Sequence, residues 1–377
     1  MALLIAAGLL SAQAALGQGT PSSASAPPPA SPAFDIASLS PKEGVFTSNN
    51  FKFKTGEKLA ELKSGYITLG APHRDSRGRV DNAVLLLHGT GGDRNSLMAN
   101  SADIFAGVLF ASGALLDAKK YYIISPDGIG MGLSSKPSDG LHAHFPKYDY
   151  DDMVTEQHLL LTKGLHVDHL RVIIGTSMGC MQGFVWGETY REFADALMPL
   201  ACNAVQIAGR NRMWRKMAMD SIAKDPAWEG GDYMSEPLNG LRADEYMTII
   251  AASAPLYFQK RFPTRDDADK IVESRTSDEY LSKLDANDEL YQLAASRNYD
   301  PSKKLGKIKA WVMWVNSADD FINPPELGLA EQQVKEIPHG KFVLIPISDQ
   351  TRGHGTHTLA NVWKDYLKEL LDESAPK

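Results

Sequence analysis

The chain contains six apolar runs in which hydrophobic residues follow one another with little polar alternation. Such runs are typical of strands that helices bury on both faces. They read AVLLLH (83–88), YYIIS (121–125), LRVIIG (170–175), ALMPLA (196–201), KAWVMWV (309–315) and KFVLIPI (341–347). Residues 51–54 and 64–69 predict two earlier strands that pair antiparallel at one edge. Because helical patterns separate the runs, the sequence predicts an α/β protein with a mostly parallel eight-stranded sheet.

Helical patterns account for most of the remaining chain. The stretch DDMVTEQHLLLTKGL (151–165) and residues 358–371 each place apolar residues along one face. Between the strands near 202 and 308, about 100 residues contain only helical patterns and turns. We expect a helical lid at 211–301 over the carboxyl edge of the sheet, where α/β proteins bind ligands. The core then comprises 41–210 and 302–377.

The first 40 residues have a different composition. Residues 1–17, MALLIAAGLLSAQAALG, contain no charge and a short apolar segment that ends in small residues. This pattern predicts a signal peptide, although the usual basic start is missing, and a periplasmic or secreted protein. Residues 18–40 are rich in Pro, Ser and Ala and predict a flexible segment.

One glycine-flanked serine is the candidate nucleophile. In RVIIGTSMGCMQGFVW (171–186), Ser177 follows a strand and precedes a helical pattern. Gly175 and Gly179 leave room for the sharp turn that exposes such a serine. Gly179, Gly183 and Gly187 recur every four residues, which suggests a helix packed very close to the sheet. A serine in an ordinary glycine-rich turn is the alternative.

An acid candidate and a base candidate follow Ser177 in the chain. The order Ser, Asp, His is the one found in α/β proteins whose nucleophilic serine lies at such a strand-to-helix turn. Asp319 and Asp320 come after KAWVMWV, and His354 and His357 come after KFVLIPI. This agreement favours a catalytic triad. Glycines on both sides of His354 would let its loop turn towards the serine, whereas His357 lies where the last helix begins.

Backbone N–H groups are candidates for an oxyanion hole. We predict those of Met178, after the nucleophile, and Thr90, in HGTGGD (88–93), with Gly89 and Gly91 as alternatives one position away. His88 is expected to pack or cap beneath this loop. Arg210 and Arg212 follow the sixth strand and are weaker candidates for holding an anionic substrate group.

Composition excludes some functions and leaves others open. The net charge of −7 does not suggest a nucleic-acid partner, and the N-terminal apolar segment is too short to span a membrane. The pairs His142/His144 and His354/His357 lack convincing further metal ligands, so no metal and no cofactor is predicted. Cys180 and Cys202 are compatible with a disulfide or with two buried thiols.

From about residue 48 onwards, the chain resembles the α/β-hydrolase superfamily, and within it the homoserine O-acetyltransferase-like family. The resembling segments are FPKYDYDDMVTEQHLLLTKGL, GTSMGCMQGFVWGETY, NRMWRKMAMDSIAKDPAWEGGDY, NSADDFINPPELG and GHGTHT. The resemblance implies that Ser177 is the nucleophile, Asp320 the acid and His354 the base. It also implies acyl transfer through an acyl-serine or ester hydrolysis, and a possible homodimer through the lid helices.

The residues favour an exported serine hydrolase that cleaves a small-molecule acyl ester. The loop DGIGMGLSSKPSDGLHAHFP stands where the acetyltransferases have a G-T-T-G-P-like loop, and acetyl-CoA is a cytosolic metabolite. The first alternative is an O-acyltransferase with the same triad. The second is a catalytically silent binding protein on the same fold, although packing alone does not require all three triad groups.

Overall fold

A computed structural model describes residues 34–99 and 105–375 of the 377-residue chain. Its eight strands form one sheet in the order β1-β2-β4-β3-β5-β6-β7-β8. Strands β3 to β8 are parallel, whereas β2 pairs antiparallel with β4 and β1 antiparallel with β2. The bounds are β1 (Lys42–Lys52), β2 (Lys58–Leu69), β3 (Ala83–Leu87), β4 (Tyr122–Pro126), β5 (Leu170–Thr176), β6 (Ala194–Leu200), β7 (Trp311–Ser317) and β8 (Gly340–Ile345). The predicted mostly parallel eight-stranded sheet is confirmed.

The central strands are buried on both faces, which explains their unalternated apolar sequences. Leu85 and Leu87 of β3 belong to one hydrophobic cluster, and Val84 and Leu86 belong to the cluster on the opposite face. Successive side chains of a strand point to opposite faces, so a strand covered on both sides is apolar at every position.

The two antiparallel edge strands are longer than the sequence predicted. Strand β1 begins at Lys42, whereas the predicted strand 51–54 covers only its end and the following turn. Most β1 side chains are exposed, and the strand contains Thr, Ser and Asn. An exposed edge strand needs few apolar residues, so the hydrophobic pattern did not reveal it.

Helices α1 and α2 contact each other in the core beside the sheet. Helix α1 (Tyr150–Leu159) begins at Asp149, whose carboxylate accepts hydrogen bonds from the N–H groups of Asp151 and Asp152. A single π-helical turn, Leu160–Gly164, extends α1. The other helices of the core are α2 (Met178–Thr189), α9 (Leu329–Gln333) and α10 (Ala360–Glu373), the last close to the predicted 358–371.

A helical insertion, here residues 201–310, connects β6 to β7. It contains α3 (Gly209–Ala223), α4 (Leu238–Ala251), α5 (Pro255–Arg261), α6 (Arg265–Arg275), α7 (Asp278–Leu281) and α8 (Ala286–Ala295). Buried residues from several of these helices, among them Ile222, Leu241 and Leu281, form a small hydrophobic cluster of their own. The aromatic residues of the insertion differ in their burial. Trp228 packs against this cluster, whereas Tyr246 is 47% exposed.

The predicted signal peptide, 1–17, and most of the predicted flexible segment, 18–40, lie outside the described residues. Within 34–40, Ile36–Leu39 form a 3-10 turn. Phe34, Ile36 and Leu39 are partly buried against the core. Among the described helices, none combines the length and the apolar character needed to cross a bilayer.

The two cysteines, whose pairing the sequence left open, form a disulfide between Cys180 in the first turn of α2 and Cys202 just after β6. Both residues are buried.

Candidate active site

Ser177 lies at a strained turn between β5 and α2. Its backbone has φ 53° and ψ −107°, in the left-handed region that residues other than glycine rarely adopt. A Cβ at Gly175 would lie 2.1 Å from the carbonyl oxygen of Gly179, and one at Gly179 would lie 2.1 Å from that of Leu87. Only glycine fits at these two positions, so the sequence directly permits the turn that aims Ser177 at the carboxyl edge of the sheet.

Of the three glycines spaced along α2, two pack closely as the sequence suggested. Gly187 would place a Cβ 2.7 Å from Leu197, but a Cβ at Gly183 would meet open space. The expectation of close packing is therefore wrong for Gly183.

Ser177, His354 and Asp320 are linked by two hydrogen bonds. Nε2 of His354 lies 2.8 Å from Oγ of Ser177, and its Nδ1 lies 2.9 Å from Oδ2 of Asp320. With Nδ1 protonated, Nε2 can accept the serine proton. Burial tends to raise the pKa of Asp320, but the neighbouring His354 and hydrogen bonds from His354 and Asn323 outweigh it and lower the pKa. The carboxylate is thereby kept charged.

The neighbouring acid and histidine have different contacts. Asp319 accepts hydrogen bonds from the Ser317 hydroxyl and from the N–H of Gly353, so it anchors the loop before His354. The ring of His357 lies 5.1 Å from that of His354. Burial, together with the nearby His354, lowers the pKa of His357 to about 3, which keeps it neutral. The geometry brings Asp320 and His354, rather than Asp319 and His357, to the serine.

Two backbone N–H groups beside Ser177 are free to bind an oxyanion. In the part of the chain that the structure describes, neither the N–H of Met178 nor that of Thr90 has a hydrogen-bond partner. The alternative at Gly91 is occupied, because its N–H donates to Oε1 of Gln292 at 3.0 Å. A Cβ at Gly89 would lie 3.3 Å from that of Ser177, so the loop runs next to the serine.

His88 has both ring nitrogens engaged beneath this loop. Nδ1 lies 2.9 Å from the carbonyl oxygen of Gly89, and Nε2 accepts the N–H of Gly128 at 3.0 Å. Burial lowers the pKa of His88, which favours the neutral ring that this pair of contacts needs. These contacts agree with a packing role and leave no nitrogen free for acid–base chemistry.

Two cavities meet at Ser177 and His354. The smaller, of about 50 Å³, is lined by the chain after β6 and the loop after Asp320, including Cys202, Asn203 and Ile322. The larger, of about 300 Å³, lies between Thr90 and the helical insertion, whose α3, α4 and α8 contribute side chains to its wall. Trp214 of α3 also lines this larger cavity. The volumes suit a short group on one side of Ser177 and a longer group on the other.

A buried arginine lines both cavities, but it is not one of the two that the sequence suggested. Arg215 is 3% exposed, and its Nη1 has no hydrogen-bond partner within residues 34–99 and 105–375. Its Nε donates to Asn211 at 2.9 Å. Arg210 is exposed, donates to the carbonyl oxygen of Phe321 and covers its ring, and neither Arg210 nor Arg212 lines either cavity.

Helical geometry explains this difference for Arg210. Asn211 and Arg215 are four residues apart and share one face of α3, whereas Arg210 lies about 140° around the helix from Arg215. Arg212 is three residues before Arg215 and lies only about 60° from it, so helical rotation does not account for its absence from the cavity walls. Neither arginine that the sequence suggested lines a cavity, whereas Arg215 lines both.

The wall that the insertion contributes also contains acids. Glu245 forms an ion pair with Arg275. Burial raises the pKa of Asp244 to about 6 and that of Glu289 to about 8, so Glu289 is neutral at pH 7. The cavity wall is thus polar without a large net negative charge.

No cluster of three or more His, Cys, Asp or Glu side chains suited to a metal occurs in the described part of the chain. His142 and His144 lie in one 3-10 turn, and the ring of His144 faces Asp232 at 3.7 Å. His354 is engaged by Ser177 and Asp320.

Sequence reasoning missed three residues that hold or line the site. Gln292 of α8 bonds to the loop at Gly91, Asn323 bonds to Asp320, and Arg215 lines the cavities. The sequence offered one indication for Asn323, because it follows Asp320 by three residues, the spacing of a local turn in which an Asp side chain accepts a backbone N–H. Gln292 is 201 residues from Gly91, and no pattern in the sequence indicated their contact.

Comparisons with known proteins identify the family of this chain. A family model described as "alpha/beta hydrolase fold" matches residues 82–348. A probable acyltransferase of Methanothermobacter thermautotrophicus is 28% identical over 82% of this chain and 91% of its own length. A homoserine O-acetyltransferase of Chlorobaculum parvum is 25% identical over 85% and 93%.

The fold also matches solved structures. An acetylester hydrolase from Corynebacterium glutamicum superposes with a TM-score of 0.75 and 20% identity, over 88% of this chain and 96% of that one. The chain is thus similar to enzymes that bear both kinds of name, acyltransferase and ester hydrolase. With its sheet order, its serine at the turn after β5 and a family match over most of its length, this chain belongs to the α/β-hydrolase fold family.

Proposed function

We propose that the protein is a serine hydrolase that cleaves an acyl ester through a covalent acyl-serine. The observation that carries the proposal is the chain of two hydrogen bonds from Ser177 through His354 to Asp320 at a strained turn. A serine hydroxyl needs a base to become nucleophilic, and a histidine held by a buried carboxylate is such a base.

In the first half-reaction, Nε2 of His354 takes the Ser177 proton while Oγ bonds to the ester carbonyl carbon. The N–H groups of Met178 and Thr90 hold the negative oxygen that results. Collapse breaks the bond to the alcohol, which receives the proton from His354. Asp320 orients the ring and stabilises its cation. Water then attacks the acyl-serine by the same steps in reverse, and no cofactor takes part.

The acyl group is proposed to be short, because the smaller cavity at Ser177 has a volume of only about 50 Å³. The larger cavity then receives the alcohol part. The position of Arg215 supports the proposal of a substrate whose alcohol part bears a carboxylate. Nη1 of Arg215 is buried beside the larger cavity and has no hydrogen-bond partner among the described residues. An unpaired guanidinium is costly to bury, and a carboxylate offers it a matched partner.

Arg215→Gln is expected to lower kcat/KM for the acetyl ester of 4-hydroxybutyrate by roughly 10–100-fold, the loss of one hydrogen bond to a charged group. Butyl acetate, which lacks the carboxylate, should be affected little. Arg210→Gln is the matched control, because Arg210 is exposed on the same helix and should leave both substrates unchanged. An equal loss on both esters in Arg215→Gln contradicts the assignment.

A second candidate is an O-acyltransferase with the same acyl-serine, which the names of the sequence relatives favour. Water or an alcohol can attack the intermediate, and their relative access to it decides between the two functions. The test is product partitioning on purified protein, with acetyl-CoA plus homoserine or serine in one arm and simple acetyl esters in the other. Faster formation of O-acetyl product than of free acetate overturns the hydrolase proposal.

We also propose export to the periplasm or the medium. The apolar N-terminus and the disulfide support it, because disulfides persist in oxidising compartments. Sequencing of the mature N-terminus tests it, and an intact Met1 on protein recovered from the cytosol contradicts it.

A homodimer through the helical insertion is a further proposal. Exposed apolar side chains on α3 and α4 support it, among them Met213, Met217 and Ile250 at 64%, 56% and 59% exposed. Light scattering of the purified protein gives the mass that decides it.

A further inference from the structure

The disulfide between Cys180 and Cys202 joins two segments that both contribute to the candidate active site. Cys180 is three residues after Ser177, in the first turn of α2. Cys202 is the second residue after β6 and lines the smaller cavity together with Ser177. The bridge therefore closes a loop, residues 180–202, whose two ends both lie close to Ser177.

A residue with a strained backbone lies beside each end of this loop. Ser177 has φ 53° and Ala201 has φ 64°, and neither is glycine. Such conformations persist only where the surroundings hold them in place. Besides the disulfide, the N–H of Ser177 donates to the carbonyl oxygen of Leu200 at 2.8 Å, which ties the serine to the same end of β6.

The segment that contains Cys202 is fixed on its other side to β7. The N–H of Cys202 donates to Oδ1 of Asn316 at 3.2 Å, and the carbonyl oxygen of Cys202 accepts hydrogen bonds from Nδ2 of Asn316 and from the indole of Trp314. Strand β7 leads directly into the loop of Asp320. The disulfide thus connects the helix of the nucleophile to the strand that precedes the acid.

The same segment also contacts the acid through one side chain. Nδ2 of Asn323 donates both to the carbonyl oxygen of Ala201 and to Oδ2 of Asp320, each at 3.0 Å. Oδ2 is the oxygen that faces His354. A shift of residues 201–202 would therefore move Asn323 and change how Asp320 holds the histidine.

We infer that the Cys180–Cys202 disulfide positions Ser177 relative to Asp320 and His354, in addition to stabilising the fold. This inference rests on the proposed function, because its readout is the reactivity of Ser177. A misplacement of about 1 Å in such a site costs on the order of 100-fold in rate. Loss of the bridge is expected to slow Ser177 by roughly tenfold or more, by lowering kcat while changing KM little.

The test compares the wild type with the double variant Cys180→Ala/Cys202→Ala. The rate constant for labelling by a fluorophosphonate reports the activation of Ser177 without ester binding. Arg171→Met is the matched control: Arg171 is buried at the far end of β5, bonded to Ser374 and Leu371, so its loss lowers Tm without touching the site. If the double alanine variant does not fold, Cys180→Ala/Cys202→Val restores part of the buried volume and takes its place.

A labelling rate constant at least tenfold lower in the disulfide variant than in Arg171→Met, at similar loss of Tm, supports the inference. Equal rate constants overturn it and leave the bridge a purely stabilising one. Thiol titration of the denatured wild type gives a second test. Two free thiols in a wild-type sample that the fluorophosphonate labels completely also overturn the inference. No labelling of the folded wild type overturns the proposed function itself, and the inference with it.

Discussion

Asp319 and Asp320 are adjacent in the chain, yet their carboxylates contact different parts of the site. Asp320 is bonded to the histidine that faces Ser177, whereas Asp319 accepts the N–H of Gly353 and holds the histidine loop. Residue types and order predicted one acid and one histidine beside Ser177, the flanking glycines favoured His354, and the family resemblance favoured Asp320. The residues alone did not separate the two adjacent aspartates, because the direction of each carboxylate depends on the conformation of the loop.

Substitution of the two acids should therefore have unequal effects. Asp320→Asn is expected to lower kcat for ester hydrolysis by about 10⁴-fold, the loss found when the acid of other Ser-His-Asp sites is replaced, because the histidine then favours the wrong tautomer. Asp319→Asn removes at most one of the two hydrogen bonds that the Asp319 carboxylate accepts, neither of which involves Ser177, His354 or Asp320, and should cost less than about tenfold. Steady-state kinetics on both variants checks this, and the reverse ranking would move the acid by one residue.

At the scale of elements, the helix of the nucleophile shows what a sequence pattern can and cannot predict. The glycine spacing along α2 suggested close packing, which occurs at Gly179 and Gly187 but not at Gly183. The contacts that complete the site come from distant elements: α8 reaches the loop at Gly91, and α3 supplies Arg215. Patterns within one element predict its own buried face, but not its partner across the cavity.

Two alanine substitutions on α2 should have opposite effects. At Gly179 a methyl group would lie 2.1 Å from the carbonyl oxygen of Leu87, so Gly179→Ala must displace the helix. We expect a loss of about 1–3 kcal/mol in the free energy of unfolding and slower labelling of Ser177. Gly183→Ala meets open space and should gain about 0.5–1 kcal/mol from helix propensity. Denaturant unfolding of both variants measures this, and equal destabilisation would contradict the packing described for α2.

For the whole molecule, the sequence predicted the sheet, its mostly parallel order and the helical insertion, because strands buried on both faces leave a strong apolar signal. It did not predict the length of β1, whose side chains are mostly exposed, or the pairing of Cys180 with Cys202. Edge strands and disulfides depend on which segments meet in space. The two cysteines are 22 residues apart, and no pattern in the residues between them requires their sulfur atoms to meet.

Burial of an acid should make the stability of the whole molecule depend on pH. Glu156 is fully buried, and burial raises its pKa to about 8, against about 4.5 in the unfolded chain. Between these values the unfolded state loses the proton and the folded state keeps it, so the contribution of Glu156 to wild-type stability falls as pH rises from about 4.5 to 8.

Glu156→Gln removes this linkage. Its free energy of unfolding relative to the wild type is expected to increase by roughly 2–4 kcal/mol between pH 5 and pH 8. Denaturant unfolding at the two pH values measures the change. A difference that stays constant with pH would contradict the raised pKa of Glu156.

The central claim is that Ser177 is a nucleophile activated by His354 and Asp320. The most direct measurement is intact-protein and peptide mass spectrometry after incubation with a fluorophosphonate, on the wild type, Ser177→Ala and His354→Ala. The account predicts one adduct per chain, on Ser177, in the wild type, no adduct in Ser177→Ala, and labelling at least about 10³-fold slower in His354→Ala. An adduct that persists in Ser177→Ala, or a folded wild-type protein that takes up none, would contradict it.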